Sequence, residues 1–235
     1  MTTVITWLTD KDDFPPLEQA LTEPNGLLAA GDSLPSSRLL AAYRRGIFPW
    51  YSDQQPVLWW SPDPRMVLFP GEFRMPRSLA KRLRRRDYEI RVDTAFTEVM
   101  RGCAMPRSDA AGTWITEDII AAYSELHRIG HAHSVETWID GELAGGLYGV
   151  SLGRAFYGES MFARVSDASK IAFAHLVHQL KRWQFGMIDC QMNTAHLARF
   201  GAREISRVEF SRKLTELVNY PTPAVSWQFE NDLFE

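Results

Sequence analysis

The chain has 235 residues, of which 45% are hydrophobic and 23% charged, with a formal net charge of −3. That is material for one large domain, or for a small domain joined to a larger one. It excludes a general polycation, so contact with nucleic acid would need a local basic patch. Cys103 and Cys190 stand far apart and form no CxxC pair, as in a reduced cytosolic protein. No apolar run reaches bilayer length, and no basic stretch opens a signal peptide, so a cytoplasmic protein off the membrane is expected. Aromatic residues reach 12%, with eight Trp, which suits a wide apolar pocket or stacking on bases as well as ordinary core filling.

Residues 1–65 are rich in Pro, Gly and Trp and poor in alternation. They read as a small N-terminal domain with two short helices, ahead of a larger domain over 66–235. The second helix is expected from about Ser36 to Arg45, with Ser36 or Ser37 as N-cap and Gly46 as its stop. Gly46-Ile47-Phe48-Pro49-Trp50 and Trp59-Trp60-Ser61-Pro62-Asp63-Pro64-Arg65 hold prolines that favour extended, rigid chain. A short strand over Met66–Phe69 precedes a basic helix from Arg74 to Arg86, with no acid before Asp87. Leu79 and Leu83 give that helix one narrow apolar stripe. A strand over Glu89–Val92 and a helix over Phe96–Cys103 follow, then a small-residue loop over 104–112 that leads into Gly112-Thr113-Trp114-Ile115.

The next helix, Thr116–Ile129, has Glu117 and Asp118 in its first turn and Gly130 after its end. Strands over His133–Ile139 and Glu142–Ser151 meet at the hairpin turn Asp140-Gly141. Then come a strand over Arg154–Met161, a helix over Asp167–Trp183, a strand over Met187–Gln191 and a short helix over Asn193–Phe200. A strand over Ala202–Ile205 and a helix over Val208–Val218 finish the pattern. This order predicts an α+β fold around one mixed, mostly antiparallel sheet flanked by helices. It resembles the acyltransferase fold of acetyl-CoA-dependent N-acetyltransferases, which implies that strands 154–161 and 187–191 splay apart over a cleft.

Strand parity places Asp189 and Gln191 on one face. A carboxylate there can take a proton from an amine and an amide can orient it, or the Asp is simply tied to a helix terminus. Glu159, among aromatic residues, either meets a positive charge at the pocket or is buried and paired with Lys170 or Arg164. It shares a pocket with Phe156 only if the strand bulges, and Gly158 tolerates a bulge. The run Arg74–Arg86 is either a solvated helix face or a phosphate-binding one. Trp50 and Trp114 either stack on an unpaired base or belong to the core. His131-Ala132-His133 has no neighbouring carboxylate or Cys at ligand spacing, so no metal is expected. Ala163-Arg164-Val165-Ser166-Asp167 is not a glycine-rich phosphate cradle, which argues against CoA.

Together, Gly46–Trp50, Trp59–Arg65, Gly112–Ile115, Gly130–Glu136, Gly158–Phe162, Ala168–Lys170 and Ile188–Gln191 resemble the leucyl/phenylalanyl-tRNA–protein transferase family, in one order and spacing from about Asn25 to Phe210. The resemblance implies transfer of leucine or phenylalanine, and less readily methionine, from aminoacyl-tRNA to the α-amine of proteins with N-terminal Arg or Lys. That transfer marks them for degradation by the N-end rule pathway. It implies no metal, no CoA and no other cofactor, and a monomer is expected. It also implies that Asp189 is the catalytic carboxylate with Gln191 beside it at the amine. Leu147, Phe156, Glu159, Phe173, Leu176 and Ile188 would form the acyl pocket. Trp50 and Trp114 would hold the terminal adenosine, and Arg77, Lys81, Arg84 and Arg85 the acceptor-stem phosphates. On the residues alone, a CoA-dependent N-acyltransferase and a non-catalytic RNA-binding module stay open.

Overall fold

The structure is a computed structural model that describes residues 5–9, 11–105, 113–221 and 227–230. The loop expected up to Gly112 falls largely on 106–112, outside the described residues. The chain forms two sheets. The first contains β1 (Thr6–Leu8), β2 (Leu27–Gly31), β3 (Phe48–Pro49) and β4 (Val57–Trp60), in the order β1-β2-β4-β3. This sheet corrects the expectation of short helices and extended chain alone. Its central strand β2 is buried at all five positions, so no polar residue alternates along it to mark a strand. Of the helices expected here, α1 spans Ser36–Arg44, and only a three-residue 3₁₀ turn forms at Leu17–Gln19. Pro35 occupies the N-cap of α1, so neither Ser36 nor Ser37 caps it. Gly46 ends the turn at φ 74, and a side chain there would collide with the ring of Phe210.

The second sheet holds β5 (Arg65–Leu68), β6 (Glu89–Val92), β7 (Ala132–Ile139), β8 (Glu142–Leu152), β9 (Ala155–Ala163), β10 (Met187–Gln191) and β11 (Arg203–Ile205). Their order is β11-β5-β10-β9-β8-β7-β6, and all pairs are antiparallel except β9 with β10. This is the mixed, mostly antiparallel α+β architecture expected. The central helix α5 (Ala168–Arg182) packs on one face, against Val135, Leu147, Phe156 and Ile188. Helices α3 (Phe96–Ala104) and α4 (Glu117–Arg128) cover the other face, over Tyr148, Val150 and Tyr157. The short α6 (Ala195–Ala198) and α7 (Arg207–Val218) complete the chain. The basic helix, α2, is shorter than expected, at Arg77–Leu83. Pro76 fixes its start, and Arg86 turns out of it at φ 51.

One buried acid ties these layers. Ala95 stands at the N-cap of α3 and has no side chain to cap it. Glu136 on β7, fully buried, takes that role from across the sheet. It accepts the backbone N–H of Thr94 at 3.0 Å and of Ala95 at 2.8 Å, Ser134 Oγ at 2.8 Å, Trp138 Nε1 at 3.1 Å and the Thr94 hydroxyl. A carboxylate at a helix N-terminus also meets the positive end of the helix dipole. Glu136→Ala would leave several buried donors without an acceptor. The expected cost is about 3–4 kcal/mol, or a fall of roughly 6–16 °C in Tm, read by thermal denaturation. Glu136→Gln, which keeps an acceptor oxygen, should lose less.

Candidate active site

The site forms where two neighbouring strands part company. β9 and β10 run parallel in the register Met187↔Ala155, Ile188↔Phe156 and Asp189↔Tyr157. Past that point β9 continues along β8 while β10 ends at Gln191. On β9 the register with β8 then slips. Gly149 faces Gly158 and Tyr148 faces Ser160, so Glu159 is the extra residue of a bulge. The bulge lies where Gly158 led us to expect it. Gly149 is needed for a second reason. Phe156 lies across it, and a Cβ at 149 would fall 2.5 Å from the Phe156 ring and 2.2 Å from the Tyr157 carbonyl oxygen.

A cavity of about 570 Å³ opens at this parting. Trp50, Trp114, Leu147, Phe156, Glu159, Phe173, Leu176, Ile188, Asp189 and Gln191 all line it, so every pocket and catalytic candidate read from the sequence meets in one place. Phe48 and Pro49 come to it from the first sheet. Trp50 is 41% exposed, with its ring edge-on to Trp60, whose Nε1 donates to the Trp50 carbonyl at 2.6 Å. Behind Phe156 sits Trp227. It stacks on His133 at 3.8 Å, lies 5.9 Å from the Phe156 ring and meets Trp183 edge-on. Its segment is held by the Glu230 N–H donating to Gln179 at 3.0 Å and by an Arg182–Glu230 ion pair.

The two carboxylates at the cavity are held in different ways. Asp189 is 1% exposed and meets Arg65 in a two-pronged pair, Nε to Oδ1 at 2.8 Å and Nη2 to Oδ2 at 2.7 Å. Arg65, also buried, has the rings of Phe48 and Phe210 each 4.7 Å from its guanidinium carbon. The Gln191 N–H donates to Asp189 Oδ1 at 2.9 Å, which holds Gln191 in the left-handed region at φ 62. A turn of this kind suits Asn and Gly far better than Gln, so the Asp189 contact carries it.

Among the described residues, Glu159 has only neutral hydrogen-bond partners. Tyr43 Oη donates to its Oε1 at 2.8 Å, Tyr123 Oη to its Oε2 at 3.2 Å, and Gln191 Nε2 to its Oε1 at 3.1 Å. The two phenols also touch each other. Burial drives the Glu159 carboxyl up from 4.5 to about 7. The phenol hydrogen bonds oppose that rise, and the nearby Asp189 adds to it. Neither expected ion pair forms, because Lys170 pairs with Asp167 at 2.6 Å and Arg164 lies over the Phe162 ring while donating to the Leu143 carbonyl. Cys190, also in the wall, has its thiol pushed far up by burial and by Asp189, which makes it a poor nucleophile.

Sequence reasoning passed over Arg65, Tyr43 and Tyr123. The signal for Arg65 was a lone cation heading an otherwise apolar strand, which requires a buried anion without saying which. The tyrosines sit at apolar positions of α1 and α4 and read as core. Of the basic run, Arg77, Lys81 and Arg84 are exposed and form no ion pair among the described residues, whereas Arg82 and Arg85 share Asp87. Asp93, His127 and His133 also gather within 4.8 Å of one another, a grouping the sequence did not suggest. His133 Nδ1 meets Asp93 Oδ2 at 2.8 Å and His127 Nδ1 meets the Ala132 carbonyl at 2.8 Å, while the buried His133 Nε2 has no hydrogen-bond partner among the described residues.

Residues 67–215 match the family model described as leucyl/phenylalanyl-tRNA protein transferase, and 32–63 match the N-terminal domain of the same family. The chain belongs to this family. The leucyl/phenylalanyl-tRNA–protein transferase of Nitrosospira multiformis is 63% identical, over 99% of this chain and all of that one. That of Chromobacterium violaceum is 62% identical, over 96% of this chain and 97% of that one. The chain is therefore an aminoacyltransferase. Among solved structures, a GCN5-related N-acetyltransferase from Kribbella flavida aligns at 10% identity and a TM-score of 0.35, over 71% of this chain and 60% of that one. No helix among the described residues is long and apolar enough to cross a membrane.

The Arg65–Asp189 pair gives the transferase a direct stability test. Arg65→Met strands a buried carboxylate and should cost about 3–5 kcal/mol in urea denaturation. Adding Asp189→Leu to it should recover much of that loss. A double variant as unstable as the sum of both single ones would mean that the pair is not the unit of stability.

Proposed function

We propose that the protein moves leucine or phenylalanine, and methionine less readily, from aminoacyl-tRNA to the α-amine of proteins beginning with Arg or Lys, as a monomer in the cytoplasm, and so marks them for N-end rule degradation. The observation that carries this reading is a single cavity that joins an apolar wall, two Trp and a carboxylate–amide group. Leu147, Phe156, Phe173, Leu176 and Ile188 form the mould for an unbranched or aromatic side chain, with Glu159 at its polar end. Each missing methylene in such a mould is worth about 1–3 kcal/mol, which suffices to disfavour small side chains, and β-branched ones fail on shape. Trp50 and Trp114 stack on the terminal adenosine.

The donor ester is already activated, so most of the task is alignment of the amine with the carbonyl carbon. In this reading Gln191 touches the amine. Asp189 is a positioning residue that acts through the Gln191 backbone and keeps that residue in its left-handed turn. Arg77, Lys81, Arg84 and Arg85 receive acceptor-stem phosphates, with Arg85 exchanging Asp87 for the RNA.

The test is incubation with phenylalanyl-tRNA and a peptide that begins with Arg. A Phe residue joined by a peptide bond to that N-terminus is expected, and its absence would sink the proposal. For the RNA contacts, Arg77→Ala, Lys81→Ala and Arg84→Ala combined should weaken tRNA binding and reduce the slope of log K against log salt by about two to three, as expected for lost phosphate contacts. An unchanged slope would remove α2 from the interface.

A further inference from the structure

The reading above puts the acyl group and the attacking amine in one cavity, and this inference rests on it. Two carboxylates reach that cavity. The oxygens of Asp189 are taken up by Arg65 Nε and Nη2 and by the Gln191 N–H, on a residue 1% exposed. Glu159 is placed otherwise. Its Oε1 accepts from Tyr43 and Gln191, but its Oε2 accepts from Tyr123 alone. A carboxylate has about four lone-pair positions, so by count Glu159 Oε2 and Asp189 Oδ2 each keep one. What separates the two is that Asp189 is buried against the Arg65 cation, whereas Glu159 is held by neutral donors on a less buried residue. The residue is half-buried on the cavity wall, and the bulge singles it out from the strand ladder. The groups facing it are Tyr43 from α1, Tyr123 from α4, Tyr148 from β8, and Asp189 and Gln191 from β10, with Arg65 paired to Asp189.

We propose that Glu159 is the proton acceptor of the transfer, taking one hydrogen of the α-amine on Oε2 as the nitrogen attacks the ester carbonyl carbon. A C–N bond forms and the C–O bond to the terminal ribose breaks. Glu159 then passes the proton to the departing ribose oxygen, which leaves as a hydroxyl, and the carboxylate is restored. Gln191 is fixed by its own donation to Glu159, which leaves its amide oxygen for the amine's other hydrogen. The chemistry of the site fits this role. A carboxyl held at about 7 is free to accept a proton at neutral pH and still binds it well enough to carry it. Neutral phenols, not a cation, hold it there.

The experiment is the pH profile of kcat/KM for an Arg-initiated peptide at saturating phenylalanyl-tRNA, for the wild type, Glu159→Gln and Glu159→Asp. On the acid side, the peptide amine must lose a proton in every variant, at about 7.7–8.0. In the wild type Glu159 must also be ionised, so the limiting slope should be steeper by about one than in Glu159→Gln, whose rate should fall by about 10²–10⁴-fold. Glu159→Asp retains a carboxylate and should keep the steeper slope at a reduced rate, which decides the matter even if Glu159→Gln folds poorly. Equal slopes in the wild type and Glu159→Gln, or a Glu159→Gln rate within about threefold of wild type, would overturn the proposal. Phe156→Trp, which fills the cavity, separates the two readings. If it leaves Phe transfer unchanged, the cavity assignment has failed, whatever the pH profiles show.

Discussion

The site depends on one buried ion pair. Arg65 opens β5 and Asp189 lies on β10, and a guanidinium fork on a carboxylate fixes both direction and distance between the two strands. Phe48 from the first sheet and Phe210 from α7 close over the guanidinium, so the same contact draws the N-terminal sheet and the last helix to the site. A buried pair of this kind adds little to stability compared with an apolar filling, but removing one partner is costly. It therefore specifies arrangement more than it stabilises. The backbone of Gln191, held left-handed by Asp189, is its most local product.

The second constraint is the parting of β9 from β10. Two parallel neighbours that lose register leave a gap in the sheet, and the gap has two chemical sides. On the α5 side lie Phe156, Phe173 and Leu176, and on the other Tyr43 and Tyr123 hold Glu159. The bulge at Glu159 places a carboxylate at the join of these sides without placing a cation beside it. Within a few ångströms the protein thus keeps one carboxylate paired with arginine and another supported by neutral donors. Such a separation of environments sets two similar groups apart in how readily each takes up a proton.

Much of this was legible in the chain. The turn Asp140-Gly141, the first-turn acids Glu117 and Asp118 with Gly130 after the helix, and the carboxylates within apolar strands gave the order of elements around the cleft. Gly158 gave the bulge, and the quoted motifs gathered the residues that line the cavity. The first sheet was not legible, because β2 is buried at every position and carries no alternation to read. The partners of the two carboxylates were not legible either. Arg65 is 124 positions from Asp189, and Tyr43 is 116 from Glu159, so only the folded topology pairs them. Local sequence offered Lys170 and Arg164 to Glu159, and both are engaged elsewhere. Strand parity placed Asp189 and Gln191 on one face but could not show that Arg65 would be paired with the carboxylate.

Trp227 gives the order of assembly a consequence of its own. A chain made only as far as β10 has Asp189 and Gln191, but Arg65 still lacks the ring of Phe210, and Phe156 lacks the indole behind it and the Glu230 clasp to α5. A growing chain, or one cut after α7, therefore holds the carboxylates and the amide beside a wall that can yield. The wall behind Phe156 is thus finished by the far end of the chain, and the surroundings of the Arg65–Asp189 pair by α7.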